Sequence, residues 1–305
     1  LMASIADAVA KAGIDASSPR TGFVLSTTKG NIDMLHAGAY PSIDPKRVYL
    51  ANSAKAVVGH FNNPNTPIVI SNACISGVLA IIMAARLLRS GQYDHVIACG
   101  GDIINDFTAS GFQSFKALSD APCKPFDTNR TGLNLGEAFG TMVLTAKPIE
   151  GAVKVLGGAV SNDANHISGP SRDGSGLKVA VKAALKESGL TAEQVDTISA
   201  HGTATPYNDE MEAIAFDDLG LSHAPTNSLK GYFGHTLGGA GLVESIISAH
   251  ALLDQKLIKT LGYETHGVSR GISIIDSTAT HTLNTCLKTA SGFGGCNAAL
   301  ILQRS

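Results

Sequence analysis

Ile68-Val69-Ile70-Ser71-Asn72-Ala73-Cys74-Ile75-Ser76-Gly77 is the stretch on which the reading of this chain turns. The apolar, β-branched run predicts a buried strand over Pro67 to Ser71, followed by a tight turn. Beyond the turn an apolar helix is expected to run to about Ser90 and stop at Gly91. Val78, Ile81, Ile82 and Ala85 mark one face of that helix. Leu79, Met83 and Leu87 fill much of the rest, so it is a buried helix. Cys74 falls at its start. Unpaired N–H groups and the positive end of the helix dipole lower a thiol pKa there and favour the reactive thiolate. The competing account is a small buried hydrophobe, the commoner role of a free cysteine.

The chain has 305 residues, 44% hydrophobic and 16% charged, which bounds it to a globular protein with a substantial core. The apolar run Val78 to Ala85 is far short of a membrane span, so no membrane association is expected. A net charge of −2 argues against a nucleic-acid partner. Five cysteines without regular spacing point to reduced thiols and a cytoplasmic location. No paired Cys or Cys/His zinc spacing, Walker loop, dinucleotide fingerprint or serine elbow is present, so neither metal nor cofactor is expected.

Outward from the opening stretch, strand and helix patterns alternate. Helices are expected over Ile5 to Ala12, Asn52 to Phe61 and Asn105 to Leu118, and strands over Gly22 to Ser26, His95 to Cys99 and Ala138 to Ala146. The pattern then restarts. Strands are expected at Val153 to Val160 and Val195 to Ala200, and helices at Gly176 to Ser188, Pro206 to Leu219 and Gly238 to Leu253. A turn and strand over Thr289 to Leu302 close the chain. This alternation implies an α/β protein whose sheet is covered by helices on both faces. The halves show weak self-similarity: Ile70-Ser71 leads to Cys74 and a helix, and Ile198-Ser199 leads to His201 and a helix.

Other segments carry chemistry-bearing residues. His201-Gly202-Thr203-Ala204-Thr205-Pro206 follows a buried strand and precedes a helix, where α/β proteins place function, although a lone histidine there is often structural. Lys230 and His235 are separated by glycines that allow close backbone approach; a surface lysine and a helix-capping histidine are the plain alternatives. Asp209 and Glu210 suit the first turns of a helix by complementing its dipole, and Glu212 is placed to pair with Lys230. Gly292-Phe293-Gly294-Gly295 reads either as a β-turn or as a mobile gate whose backbone N–H faces an oxyanion.

Taken in order, these motifs resemble the β-ketoacyl-acyl carrier protein synthases of the elongating type, in the thiolase superfamily. The matching segments are Asn72-Ala73-Cys74, Ala200-His201-Gly202-Thr203 with Thr205-Pro206, Lys230 with Gly234-His235 and Gly239-Ala240-Gly241, and Gly292-Phe293-Gly294-Gly295. Pro125-Phe126-Asp127, Arg130-Gly132, Gly136-Glu137 and Asn162 to His166 are also similar to the family, and the likeness runs from about residue 20 to the end. It implies a thiolase-like α/β fold of two pseudo-symmetric halves layered α-β-α-β-α. Residues 1–150 would carry the nucleophile and 151–305 both histidines.

The resemblance implies the following roles. Cys74 is the nucleophile that takes an acyl group from a carrier-protein thioester. His201 and His235 donate to the malonyl thioester oxygen and stabilise the enolate formed as carbon dioxide leaves. Lys230 with Glu212 sets the electrostatics, and the N–H groups of Cys74 and Phe293 form the oxyanion hole. Thr203 and Thr205 contact the pantetheine arm, Phe112 lines the acyl pocket, and Lys116 contacts the carrier protein. The expected reaction is a decarboxylating condensation giving 3-oxoacyl-acyl carrier protein, in fatty acid or in polyketide or polyene synthesis. The expected partners are acyl carrier protein and a second copy in a homodimer, or a related subunit in a heterodimer.

Two other functions compete: a non-catalytic chain-length-factor-like subunit, which such families usually build without the cysteine, and a coenzyme A-dependent thiolase, which places a second cysteine before its C-terminal glycines. The family carries a further segment ahead of the position matching Leu1, so the first strand of the N-terminal half is expected to be missing from this chain. Ser291 and Cys296 stand where the family usually has phenylalanine and threonine, which bears on substrate preference at the gate.

Overall fold

The computed structural model describes residues 1–35, 42 and 44–305. Helix α1 (Met2–Ala12) ends at Gly13, whose φ of 62° supplies the left-handed cap that glycine adopts without strain. The first half continues as β1 (Thr21–Ser26), α2 (Leu50–His60), β2 (Ile68–Ile70), α3 (Ser76–Arg89), β3 (His95–Asp102), α4 (Asp106–Ser114) and β4 (Ala138–Thr145). The second half runs β5 (Val153–Asn162), α5 (Ser175–Ser188), β6 (Thr197–Ser199), α6 (Pro206–Asp218), β7 (Thr226–Asn227), the single turn α7 (Lys230–Phe233) and α8 (Ala240–Asp254). The short pair β8 (Lys256–Leu257) and β9 (Ala279–Thr280) follows, then the hairpin β10 (Thr285–Gly292) and β11 (Cys296–Arg304).

Three elements depart from expectation. The helix expected to reach Leu118 stops at Ser114, because Lys116 takes a left-handed φ of 52° and turns the chain. The helix expected from Gly238 begins at Ala240, after a tight 3-10 turn over Leu237–Gly239. The closing turn and strand is a full antiparallel hairpin.

The two sheets repeat one topology. In the first the order is β2-β1-β3-β4, with β1 parallel to β2 and β3, and β4 antiparallel to β3. In the second the order β7-β6-β10-β11 repeats both sequence and orientation, and β5 adds an antiparallel strand on the outer side of β11. Among the described residues, β4 carries no counterpart of β5.

Three apolar cores separate five layers. Helices α1 and α2 cover one face of the first sheet through Ile5, Val57 and Val58 against Phe23, Leu25 and Ile97. Helices α5 and α6 cover the far face of the second sheet through Leu177, Val181, Met211 and Phe216. Between the sheets lie α3 and α8, buried against Val96 and Ala98 on one side and Ala298 and Leu300 on the other. The α-β-α-β-α order follows from which faces are apolar. The two central helices cross at glycines. A Cβ on Gly77 would lie 2.3 Å from the Leu242 nitrogen, and one on Gly241 would lie 2.8 Å from the Val78 nitrogen. This close crossing brings the start of α3, from the first half, against the start of α8, from the second.

Candidate active site

The turn that presents Cys74 is tied by one side chain. Ser76 Oγ accepts from Asn72 N at 2.8 Å and donates to the Ala73 carbonyl at 2.7 Å. Ala73 takes a φ of 42°, a conformation costly for a residue with a Cβ, and this turns Cys74 inward. Helix α3 starts only at Ser76. The expected lowering of the thiol pKa is reversed. Burial pushes Cys74 up to about 12, with Cys296 adding to the rise, and the opposing pull of Lys230 and of the Phe293 N–H does not prevail. Removing a thiolate from water outweighs the helix terminus. Iodoacetamide labelling of Cys74 is therefore expected to accelerate steadily as pH rises through about 10, since the thiolate fraction keeps growing below the pKa. A plateau near neutrality in a pH series followed by mass spectrometry would contradict this.

His201 and His235 meet at Cys74. Donor atoms of the three residues lie within 4.8 Å of one another, and the imidazoles sit edge to face with centroids 5.2 Å apart. His201 is delivered by β6, and Gly202 follows at φ 43°, where a Cβ would lie 2.4 Å from Ser228 Cβ. His235 is held by its backbone: its N–H donates to Asn134 O at 2.7 Å, and its carbonyl accepts from Gly136 N at 3.1 Å. Its Nδ1 accepts from Leu237 N at 3.0 Å, so in the neutral ring the proton sits on Nε2. That atom, like His201 Nδ1, is buried without a partner among the described residues. Burial, then the Lys230 charge, lowers the His235 pKa to about 3, and burial, Lys230 and His235 hold His201 well below its ordinary value. Both rings are neutral at physiological pH.

Beneath them lies a wholly buried charge cluster that corrects the expected Lys230–Glu212 pair. Lys230 Nζ lies 2.7 Å from Glu244 Oε1 and donates also to the His201 carbonyl. Lys288 Nζ lies 2.8 Å from the other Glu244 oxygen. Burial alone would raise the Glu244 pKa; the two ammonium groups outweigh it and hold it down. Glu212 instead takes the backbone N–H groups of His201 and Gly202, both at 2.7 Å, with Asn208 Nδ2 at 2.9 Å and Thr289 Oγ1 at 3.1 Å. Asp209 is not the exposed dipole partner that its place in α6 suggests. It is fully buried and accepts from Phe126 N at 2.7 Å, and burial raises its pKa to about 7. Glu210 is half-buried and receives the Ser269 N–H.

A cavity of about 550 Å³ opens onto Cys74 and both histidines. Thr203 and Thr205 line it, their hydroxyls 2.8 Å apart, and exposed Lys116 stands at its mouth. Phe112 packs between Phe293 and His235, with ring centroids at 5.3 and 6.2 Å. The turn carrying Phe293 comes close because Gly292 has no side chain: a Cβ there would lie 3.0 Å from Cys74 N. The end of β5 and the segment after it latch that turn, with Asn162 Nδ2 donating to Gly294 O at 2.8 Å and Gly294 N donating to Ile167 O at 2.7 Å. Ser291 Oγ donates to Asn297 Oδ1, and Cys296 is buried beside Cys74. Cys74, His201 and His235 are numerous enough to hold a metal ion. His235 nonetheless turns an N–H and not a lone pair toward the centre.

Glu244 and Lys288 escaped the sequence reading. Each is a single charge within an apolar run, Leu242 to Leu252 and Cys286 to Ala290, and such a charge is a sign of a buried ion pair.

Among known proteins, residues 1–148 match the beta-ketoacyl synthase N-terminal domain and residues 152–264 the C-terminal domain. The 3-oxoacyl-acyl-carrier-protein synthase 2 of Vibrio cholerae is 32% identical, over 94% of this chain and 77% of its own length. That of Rhizobium meliloti is 34% identical, over 99% and 78%. A ketosynthase of Xenorhabdus doucetiae, solved in complex with its chain length factor, superposes with a TM-score of 0.85 at 26% identity, over 99% of this chain and 77% of that one. Two domain matches covering most of the chain, and relatives aligned along nearly all of it, lead to one conclusion: the chain belongs to the beta-ketoacyl synthase family.

Proposed function

We propose that Cys74 takes an acyl group from acyl carrier protein, and that His201 and His235 then receive the anion formed when a malonyl-carrier thioester loses carbon dioxide. As a member of its family the chain is an acyltransferase, and its reaction is the condensation of fatty acid or polyketide synthesis. The observation that carries the residue assignment is the pair of neutral, buried imidazoles beside one buried thiol, with an Nε2–H of His235 left to donate.

Each step has a physical basis. Attack by the Cys74 sulfur on the thioester carbon forms the new C–S bond and breaks the bond to the carrier sulfur, while the thiol proton passes by way of the neutral His201 imidazole to that departing sulfur, which leaves as the carrier thiol. The thioester oxygen becomes negative, and the N–H groups of Cys74 and Phe293 supply the donors. In the second half-reaction the electrons of the breaking C–C bond move toward the malonyl thioester oxygen. His235 Nε2–H meets the charge where water is excluded. The carbanion then attacks the acyl carbon and returns Cys74 as leaving group. Thr203 and Thr205 line the passage a pantetheine arm would use, Phe112 the side an acyl chain would pass, and Lys116 the rim facing an acidic carrier protein. Lys230 and Glu212 hold the His201 loop. We assign the halves at 1–150 and 151–305, a homodimer or a heterodimer with a related subunit as the working assembly, and the cytoplasm as the location. Among the described residues no helix is long and apolar enough to cross a membrane.

Intact mass spectrometry after mixing with acyl-carrier protein tests the nucleophile. The wild type is expected to gain one acyl group and Cys74→Ala none. A wild type left unmodified, under conditions where a control synthase is acylated, would support a silent partner subunit instead.

A further inference from the structure

The cluster beneath the histidines holds a second lysine that the reaction as described does not use. Lys288 is fully buried in β10. Its Nζ donates to the carbonyls of Ser199 and Ala200, both at 3.1 Å, while Lys230 takes the next carbonyl, that of His201. Glu212 holds the N–H groups of His201 and Gly202. The backbone delivering His201 is thus gripped by buried charges on both sides.

Two ammonium groups and two carboxylates share this volume. Glu244 on α8 bridges Lys230 on α7 and Lys288, and Glu212 on α6 also faces both lysines. The other titratable groups facing Lys288 are His201, His235 and Cys286, and Asp209 neighbours Glu212. With Lys230 alone, the two glutamates would leave an excess negative charge beside the imidazoles that must accept an anion. We propose that Lys288 is a positioning residue that neutralises this excess, holding Glu244 and the His201 loop so that the enolate forms next to a balanced cluster.

This rests on the condensing reading. Removing the Lys288 charge raises the affinity of the buried carboxylates for a proton, and taking up that proton restores the balance. The deficit is therefore greatest at high pH and shrinks as pH falls. In malonyl-acyl carrier protein decarboxylation, Lys288→Met is expected to lose about tenfold or more in kcat near pH 8, with KM little changed. The ratio to wild type should recover toward about pH 6. Lys288→Gln, which keeps donors for the carbonyls without the charge, is expected to show the same tilt, and Lys288→Arg a flat ratio. A loss in Lys288→Met that is equal at every pH, or a loss seen in KM alone, overturns the proposal. So does failure of both neutral variants to fold while Lys288→Arg folds, which would make the residue purely structural. A wild type without decarboxylation overturns the condensing reading and this proposal together; an active wild type with flat variant ratios overturns only the proposal.

Discussion

Replacing His235 with alanine is expected to lower malonyl-carrier decarboxylation by about 10²–10³-fold, while Cys74 still acquires an acyl group. The size follows from what the side chain does. Leu237 N–H occupies Nδ1, so the ring presents Nε2–H at a fixed angle, and burial keeps water from replacing it. A preorganised donor in a dry site needs no reorganisation when charge develops, which is why losing one costs so much. The variant keeps the Cys74 turn, which is tied by Ser76 and not by His235. Single-turnover acylation followed by mass spectrometry, beside carbon dioxide release, separates the two half-reactions. Equal losses in both would mean that His235 supports the thiol instead of the enolate; unchanged release would remove it from the mechanism. With the His235 pKa near 3, protonation of this ring does not shape the rate between about pH 6 and 9.

How far the sequence announced this arrangement depends on the range of the forces involved. The α/β class was legible because apolar periodicity is local: the buried run through Leu87 and the restart at Val153 declare strands that need helices on both faces, whereas the α-β-α-β-α layering was implied only by the resemblance of the motifs to a family. Cys74, both histidines and the glycine turn at Phe293, which the fold brings together, were legible as candidates because each sits in a short motif. The pairing of Lys230 was not. Glu212 and Glu244 both lie near it in sequence, and the choice was made by α8 packing across Gly77, a contact between halves. The Cys74 pKa was misjudged for the same reason. A helix terminus can be read from ten residues, whereas full burial depends on two sheets and two helices closing over the thiol. Asp209 repeats the lesson: its place in the first turn of α6 suggests a solvated dipole partner, and the Phe126 backbone from the other half takes it into the core.

Glu244→Gln should be the most destabilising change of a single atom pair in the second half. It keeps the shape but leaves the buried Lys230 and Lys288 without their shared carboxylate. Breaking a buried pair by removing one partner costs about 3–5 kcal/mol, because the survivor is an uncompensated charge. Here two survivors face each other across the gap, with Glu212 as the remaining counter-charge. At about 2–4 °C per kcal/mol, the melting temperature should fall by on the order of 10 °C, and condensation should be lost as Lys230 releases the His201 carbonyl. The double variant Glu244→Gln, Lys288→Met is expected to be more stable than Glu244→Gln alone, since it removes one of the two stranded ammonium groups. That sign is the decisive observable: two destabilising substitutions of independent groups add, whereas here the second relieves the first. Calorimetric melting of the two single variants, the double variant and the wild type measures it. A double variant less stable than Glu244→Gln would mean that Lys288 contributes packing and not charge to the cluster that carries His201.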